Sequence, residues 1–222
     1  MVLKLYGSSI ATCTRRVALI LHEKKVPFEL HEIDVRGGAH KKTDYLEKQP
    51  FGQIPYIDHD GFILYESRAI CYYIASIYSS QGTKDLLPSD PKANARLQQA
   101  LSVEVANFNA FAEKAVVEKY LRPMYSRDYK PDEKICSEAI STLDAKLDAY
   151  EKILSKQKYL AGDELTLADL YHLVYGSLLP NAGYTGLESE SRPNVARWFK
   201  ELSSRPAWQA VKENGFKSVA AY

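Results

Sequence analysis

The hydrophobic pattern of residues 3–78 switches repeatedly between a period of two and a period near 3.6, and few folds accommodate that order. Residues 3–7 alternate as a short strand. Residues 12–25 read as a helix, with Val17, Ala18, Ile20 and Leu21 at helical spacing. Pro27 ends it, and Phe28-Glu29-Leu30-His31-Glu32-Ile33 alternates as a second strand. Gly37-Gly38 marks a loop, and Lys41 to Lys48 reads as a short polar helix. Pro55-Tyr56-Ile57-Asp58 and Phe62-Ile63-Leu64-Tyr65 flank Asp60-Gly61, a hairpin turn signal. Glu66 to Tyr78 is the last helix of the series. The β-α-β unit implies a parallel pair with a right-handed crossover, and the hairpin adds an antiparallel pair.

That order matches a thioredoxin-like layout. Ser79-Ser80-Gln81-Gly82-Thr83-Lys84 has linker chemistry, closed by Pro88-Ser89-Asp90-Pro91. Everything after it reads as helical. A long helix is expected from about Pro91 to Arg127, bent or broken near Pro123. Pro131 opens another, to about Lys156. Thr166-Leu167-Ala168-Asp169 is a capping box, with Leu165 and Leu170 placed as the hydrophobic staple. That helix is expected to end near Pro180-Asn181-Ala182-Gly183, and shorter helices start at Pro193 and Pro206. The expected architecture is an α/β thioredoxin-like domain over residues 1–79, a linker over 80–90 and an all-α domain over 91–222.

Composition narrows the function classes. The chain has 222 residues and a formal net charge of +1, without the basic excess of a non-specific nucleic-acid binder. No apolar run approaches the length of a membrane helix, and the first residues lack a signal-peptide pattern. Neither a nucleic-acid nor a membrane partner is expected. The three cysteines, Cys13, Cys71 and Cys136, cannot all pair with one another, and their spacing fits no zinc motif. The expectation is a cytoplasmic chain with reduced thiols and no metal site.

Chemistry concentrates in Gln49-Pro50-Phe51-Gly52-Gln53-Ile54-Pro55 and Glu66-Ser67-Arg68-Ala69-Ile70. A cis bond before Pro55 turns the Ile54 backbone outward, leaving its N–H and C=O for a ligand. The N–H groups at Glu66 and Ser67, at the positive end of a helix, suit a carboxylate. The pair reads as a holder for a small peptide. The plainer uses are a turn proline and a helix cap.

Thr14-Arg15-Arg16-Val17, Gly38-Ala39-His40-Lys41-Lys42, the two stretches above, Tyr159-Leu160-Ala161-Gly162-Asp163 and Thr166-Leu167-Ala168-Asp169 together carry a resemblance. Over its whole length the chain resembles the cytosolic glutathione transferases, most closely their phi class. The resemblance implies a homodimer that conjugates the glutathione thiol to small hydrophobic electrophiles, with glutathione as co-substrate and no other cofactor. It places the Ile54 backbone and Pro55 against the cysteinyl part of glutathione. Ser67 faces the γ-glutamyl carboxylate and Glu66 the ammonium. His40 and Lys41 face the glycine carboxylate, and Gln53 adds a hydrogen bond. Arg68 helps hold the acidic end; in a first helical turn it opposes the dipole and needs a partner. Phe51 becomes an exposed aromatic anchor for the second subunit.

The chain departs from the family where the sulfur is activated. The usual phi-class serine falls at Ala11, which has no donor. Thr12, one residue on, is the first substitute; its plainer use is a helix N-cap. Cys13, in the first helical turn beside Arg15 and Arg16, is the second. It would attack a mixed disulfide, giving a glutathione thiol transferase; its plainer use is a small buried hydrophobe. Ser8, Ser9 or backbone N–H groups also remain. The electrophile pocket is expected from Ile10, Phe108, Phe111 and Tyr120, with core packing as the plainer use of the two phenylalanines. A third reading comes from Ala11: a non-catalytic carrier of apolar ligands that retains the glutathione site.

Overall fold

The computed structural model describes residues 2–213 and 215–222. The chain forms two compact units, one of the residues up to Leu87 with those from Pro206 onward, the other of Pro88–Arg205.

In the first unit β1 (Leu3–Gly7) leads into α1 (Thr12–Glu23), and β2 (Phe28–Glu32) comes next. A 3-10 turn (Ala39–Lys41) and α2 (Thr43–Leu46) stand in place of the one polar helix expected there. β3 (Tyr56–His59), β4 (Phe62–Tyr65) and α3 (Ser67–Ile77) complete the expected series. The sheet order is β2-β1-β3-β4. β1 is parallel to β2, with Leu3 opposite Phe28, and antiparallel to β3, with Tyr6 opposite Tyr56. Leu3, Leu5, Phe28 and Ile57 of the sheet and Val17, Ile20, Ile70 and Ile74 of the helices are buried. Each such side chain contributes on the order of 1.5–3 kcal/mol of hydrophobic stabilisation.

The end of α1 falls two residues short of the expected position. Lys25 adopts φ 50, its N–H donates to His22 O, and the Val26 N–H donates to Leu21 O. This is a Schellman closure with a lysine in the left-handed place.

In the second unit, the expected long helix is α4 (Pro91–Val103), a π segment (Glu104–Asn109), α5 (Ala110–Val116), a second π segment (Val117–Leu121) and α6 (Arg122–Tyr125). Pro123 therefore does not break the helix. The second π segment directly precedes it, and a wider turn accommodates the missing N–H and the ring. The next helix, α7 (Glu133–Leu154), starts after Asp132, not at Pro131, because the Asp132 carboxylate accepts from the Lys134 and Ile135 N–H groups. α8 (Leu167–Gly176) opens on the expected capping box and ends before Pro180, where a 3-10 turn (Leu179–Ala182) takes over. α9 (Pro193–Ser203) and α10 (Pro206–Val211) begin at the expected prolines.

α10 and the tail depart from the expected 91–222 domain, because they pack with the first unit. β2 is an edge strand with open backbone groups. Phe28 and Val219 exchange both backbone hydrogen bonds at 2.9 Å, Ser218 Oγ accepts from the Leu30 N–H, and α10 lies on α1. A tail this short carries no periodic signal of such docking.

The core of the second unit centres on buried polar groups. His172 donates from Nδ1 to Ala168 O at 2.7 Å and accepts at Nε2 from the Tyr150 hydroxyl at 3.0 Å. Burial holds the imidazole below its ordinary pKa, and therefore neutral, and raises that of the Tyr150 phenol. Asp169 accepts from the Leu160 N–H, the Thr166 N–H and hydroxyl, and Trp198 Nε1–H. No helix among the described residues is long and apolar enough to cross a membrane.

Replacing Asp169 by Ala strands several buried donors at once. The expected cost is at least about 3 kcal/mol, read as a lower Tm and denaturation midpoint, with Asp169→Asn less damaging.

Candidate functional site

The antiparallel register of β1 and β3 sets the end of β1 beside the start of β3. A Cβ built on Gly7 would lie 2.5 Å from Thr14 Oγ1 and 3.2 Å from Pro55 Cβ, so only glycine fits between the two segments. The loop from Ser8 to Ala11 is pinned along its length. The Ser8 N–H donates to Thr14 Oγ1 at 3.2 Å, and the Ser9 N–H to the Glu32 carboxylate at 3.0 Å. Arg15 Nε–H donates to Ser9 O at 3.1 Å. Both serines are buried.

Ala11 occupies the N-cap of α1 and offers no side-chain cap. The cap place is therefore taken, and Thr12 is the first residue of the helix rather than its cap. Cys13 is half-buried, with Sγ 3.4 Å from Arg16 Nη1. Cys71 and Cys136 are buried packing residues. Cys13 thus differs from the other two thiols in access and in its cationic neighbour.

The Ile54–Pro55 bond is cis. Among the described residues, neither the N–H nor the C=O of Ile54 has a hydrogen-bond partner. Gln53 is held on both sides, its C=O by the Tyr45 hydroxyl at 2.7 Å and its N–H by Gln49 Oε1 at 3.3 Å. Burial raises the pKa of the Tyr45 phenol, which keeps it a donor. The 3-10 turn with His40 and Lys41 closes on this loop. Lys41 Nζ donates to Phe51 O at 3.3 Å, and a Cβ on Gly52 would lie 2.9 Å from His40 O and from Lys41 Nζ. His40 is held below its ordinary pKa by desolvation and then by Lys41.

Glu66 precedes α3 with φ 68 and ψ 107, a conformation that costs a non-glycine residue on the order of 1–3 kcal/mol. Its side chain is exposed, whereas Ser67 is buried. Ser67 Oγ accepts from Arg16 Nη1 at 2.8 Å. The first turns of α1 and α3 are joined through one guanidinium, and neither contains an acid. Arg68 is half-buried in that turn.

In the helical unit Phe108 is a core residue, 1% exposed, with its ring 4.5 Å from His172 and 6.3 Å from Tyr150. Its burial takes it out of the expected pocket set. Phe111 and Tyr120 are half-buried, as is Ile10 in the first unit.

The family model described as Glutathione S-transferase, N-terminal domain, matches residues 1–76, and that described as Glutathione S-transferase, C-terminal domain, matches residues 113–206. The chain belongs to the glutathione S-transferase family. Its relatives place it with the phi class. It is 44% identical to glutathione S-transferase hmp2 of Hypomyces subiculosus, over 94% of this chain and 96% of that one. Glutathione transferase F7 of Populus trichocarpa superposes with a TM-score of 0.88 at 39% identity, covering 95% and 98% of the two chains. A glutathione S-transferase I from maize, solved with an atrazine glutathione conjugate, superposes at 0.85 with 31% identity, covering 95% and 96%.

Several supporting residues of this family site escape a reading by sequence. Thr14, Glu32, Tyr45 and Gln49 hold loops; no local pattern marks Glu32 or Tyr45, and Thr14 and Gln49 lie in stretches of the resemblance that give no sign of this use. Arg15 and Arg16 left a signal: two adjacent cations inside an otherwise apolar helix. Gly52 stands at φ 58 under Lys41, so Gly52→Ala is expected to cost roughly 1–2 kcal/mol in denaturant titration. It should also displace Lys41 and weaken glutathione binding in calorimetry.

Proposed function

We propose that the chain conjugates the thiol of glutathione to small apolar electrophiles. The observation that carries this reading is the open backbone of Ile54, with the His40 ring and the Lys41 cation on one side of the chain's site and the α3 N-terminus on the other. An extended peptide pairs with Ile54 as a strand pairs with an edge. Ser67 takes the γ-glutamyl carboxylate and Glu66 the ammonium. Lys41 supplies the charge for the glycine carboxylate, since His40 is neutral at pH 7 and acts as a hydrogen-bonding ring. Gln53 and Arg68 complete the polar contacts.

A free thiol with a pKa of about 8.5 is mostly protonated at neutral pH. Thr12 is the hydroxyl that lowers it, helped by the N–H groups of the first α1 turn, which have no partners within the helix. The proton leaves to solvent, the thiolate attacks the electrophilic carbon, and the leaving group departs with its electron pair. Ile10, half-buried in the first unit, supplies apolar surface to the electrophile.

Cys13 supports a second reading, because its half-buried sulfur lies 3.4 Å from the Arg16 guanidinium. Attack on a glutathione mixed disulfide would form a Cys13–glutathione disulfide and release the other thiolate; a second glutathione then reduces it.

Two assays separate these readings. Thr12→Ala is expected to raise the bound thiol pKa and to lower kcat/KM for an activated aryl halide roughly ten- to hundred-fold. Unchanged values would remove Thr12 from the chemistry. Reduction of a glutathione mixed disulfide that is abolished in Cys13→Ser would establish the second reading. Glutathione binding without either activity in the unaltered protein would leave only the carrier reading.

The proposal extends to a homodimer anchored by Phe51, which is 64% exposed and edge-on to Tyr65. Phe51→Ser is expected to shift sedimentation toward the monomer. His40 should titrate below its ordinary value in the free protein by NMR. Bound glutathione should move it up, because an added carboxylate favours the charged ring.

A further inference from the structure

Arg16 lies one turn after Cys13 on the same face of α1 and is 1% exposed. A buried guanidinium costs several kcal/mol of desolvation, and an apolar side chain of similar size is often as good for stability. It touches Ser67 Oγ at 2.8 Å and Cys13 Sγ at 3.4 Å. Its carbonyl accepts from the Cys71 thiol at 3.5 Å, which fixes that turn of α1 against α3. The cation is thus held at the meeting point of two helix N-termini whose first turns carry no acid. A carboxylate arriving at Ser67 meets that charge.

We propose that Arg16 is the positioning residue for the γ-glutamyl end of glutathione, acting through Ser67; this rests on the glutathione reading above. A serine hydroxyl has one hydrogen to donate and two lone pairs to offer. Nη1–H occupies one lone pair, so the hydroxyl hydrogen is left to point at the incoming carboxylate. The guanidinium also polarises the O–H bond, making it a stronger donor. Arg16 itself touches no ligand atom. It sets which way Ser67 donates, and it places a fixed positive charge one residue behind the carboxylate.

The test compares two ligands by calorimetry. One is glutathione, the other its analogue lacking the γ-glutamyl carboxylate, 4-aminobutyryl-cysteinyl-glycine. Arg16→Met is expected to weaken glutathione roughly tenfold and to leave the analogue within about twofold. In steady-state kinetics the loss should fall on KM for glutathione rather than on kcat. Ser67→Ala should show the same ligand selectivity, and the double variant should bind glutathione no more weakly than Ser67→Ala alone. Equal weakening of both ligands by Arg16→Met, or losses that multiply in the double variant, would overturn the role of Arg16 while leaving the subsite intact. Glutathione binding unaltered in Ser67→Ala would overturn the subsite itself and this proposal with it. Should Arg16→Met fail to fold, Arg16→Lys keeps a cation of similar reach without the fork. It is then expected to weaken glutathione at least about threefold and to spare the analogue. Equal losses on both ligands would again overturn the role.

Discussion

The antiparallel pairing of β1 with β3 is the constraint on which the rest of the first unit depends. It sets the last residue of β1 beside the residues that enter β3. The loop into α1 leaves from that end of β1, and the Gln53-Ile54-Pro55 turn runs into β3. Two loops far apart in sequence are therefore neighbours, with Gly7 as the only residue small enough to stand between Thr14 and Pro55. The hairpin to β4 then delivers Glu66 and Ser67, and α3 returns across the same face to meet α1.

Electrostatics derives from that arrangement. Two helix N-termini converge without an acid in either first turn, and a buried guanidinium joins them. On the other side of the Gln53 loop, Lys41 lies over Gly52, and desolvation, with Lys41 second, holds His40 below its ordinary pKa. Under the proposed reading, such a region takes an anionic ligand with charge at both ends, and the backbone of Ile54 pairs with the peptide in the middle as an edge strand does. Glu66, in a costly backbone conformation, is the acid proposed for the ammonium.

Much of this was legible in residue order. The switching periods gave the strand and helix sequence of the first unit, and the cis bond at Pro55, the Asp60-Gly61 turn and the Thr166–Asp169 box stand where their residues predicted. The misreadings have local causes. Pro123 was expected to bend or break its helix; a π segment precedes α6, and the helix runs on through Pro123. Phe108 was expected in the electrophile pocket, with core packing as its plainer use, and its ring lies in the core beside His172. The tail from Pro206 looked like more of the helical unit, yet the open edge of β2 recruits it.

By itself the sequence determined the class of fold and the two-part organisation, and it pointed to the residues proposed to hold a small peptide, because periodicity, turn chemistry and residue type are local properties. Only the tertiary structure decided that Ala11 takes the cap of α1 and leaves Thr12 in its first turn, and that Arg16 reaches Ser67 fifty-one residues away. It also decided that Cys13 alone of the three thiols is accessible. Those facts depend on which side chains a folded sheet and two packed helices bring within a few ångströms, and no spacing along the chain encodes that distance.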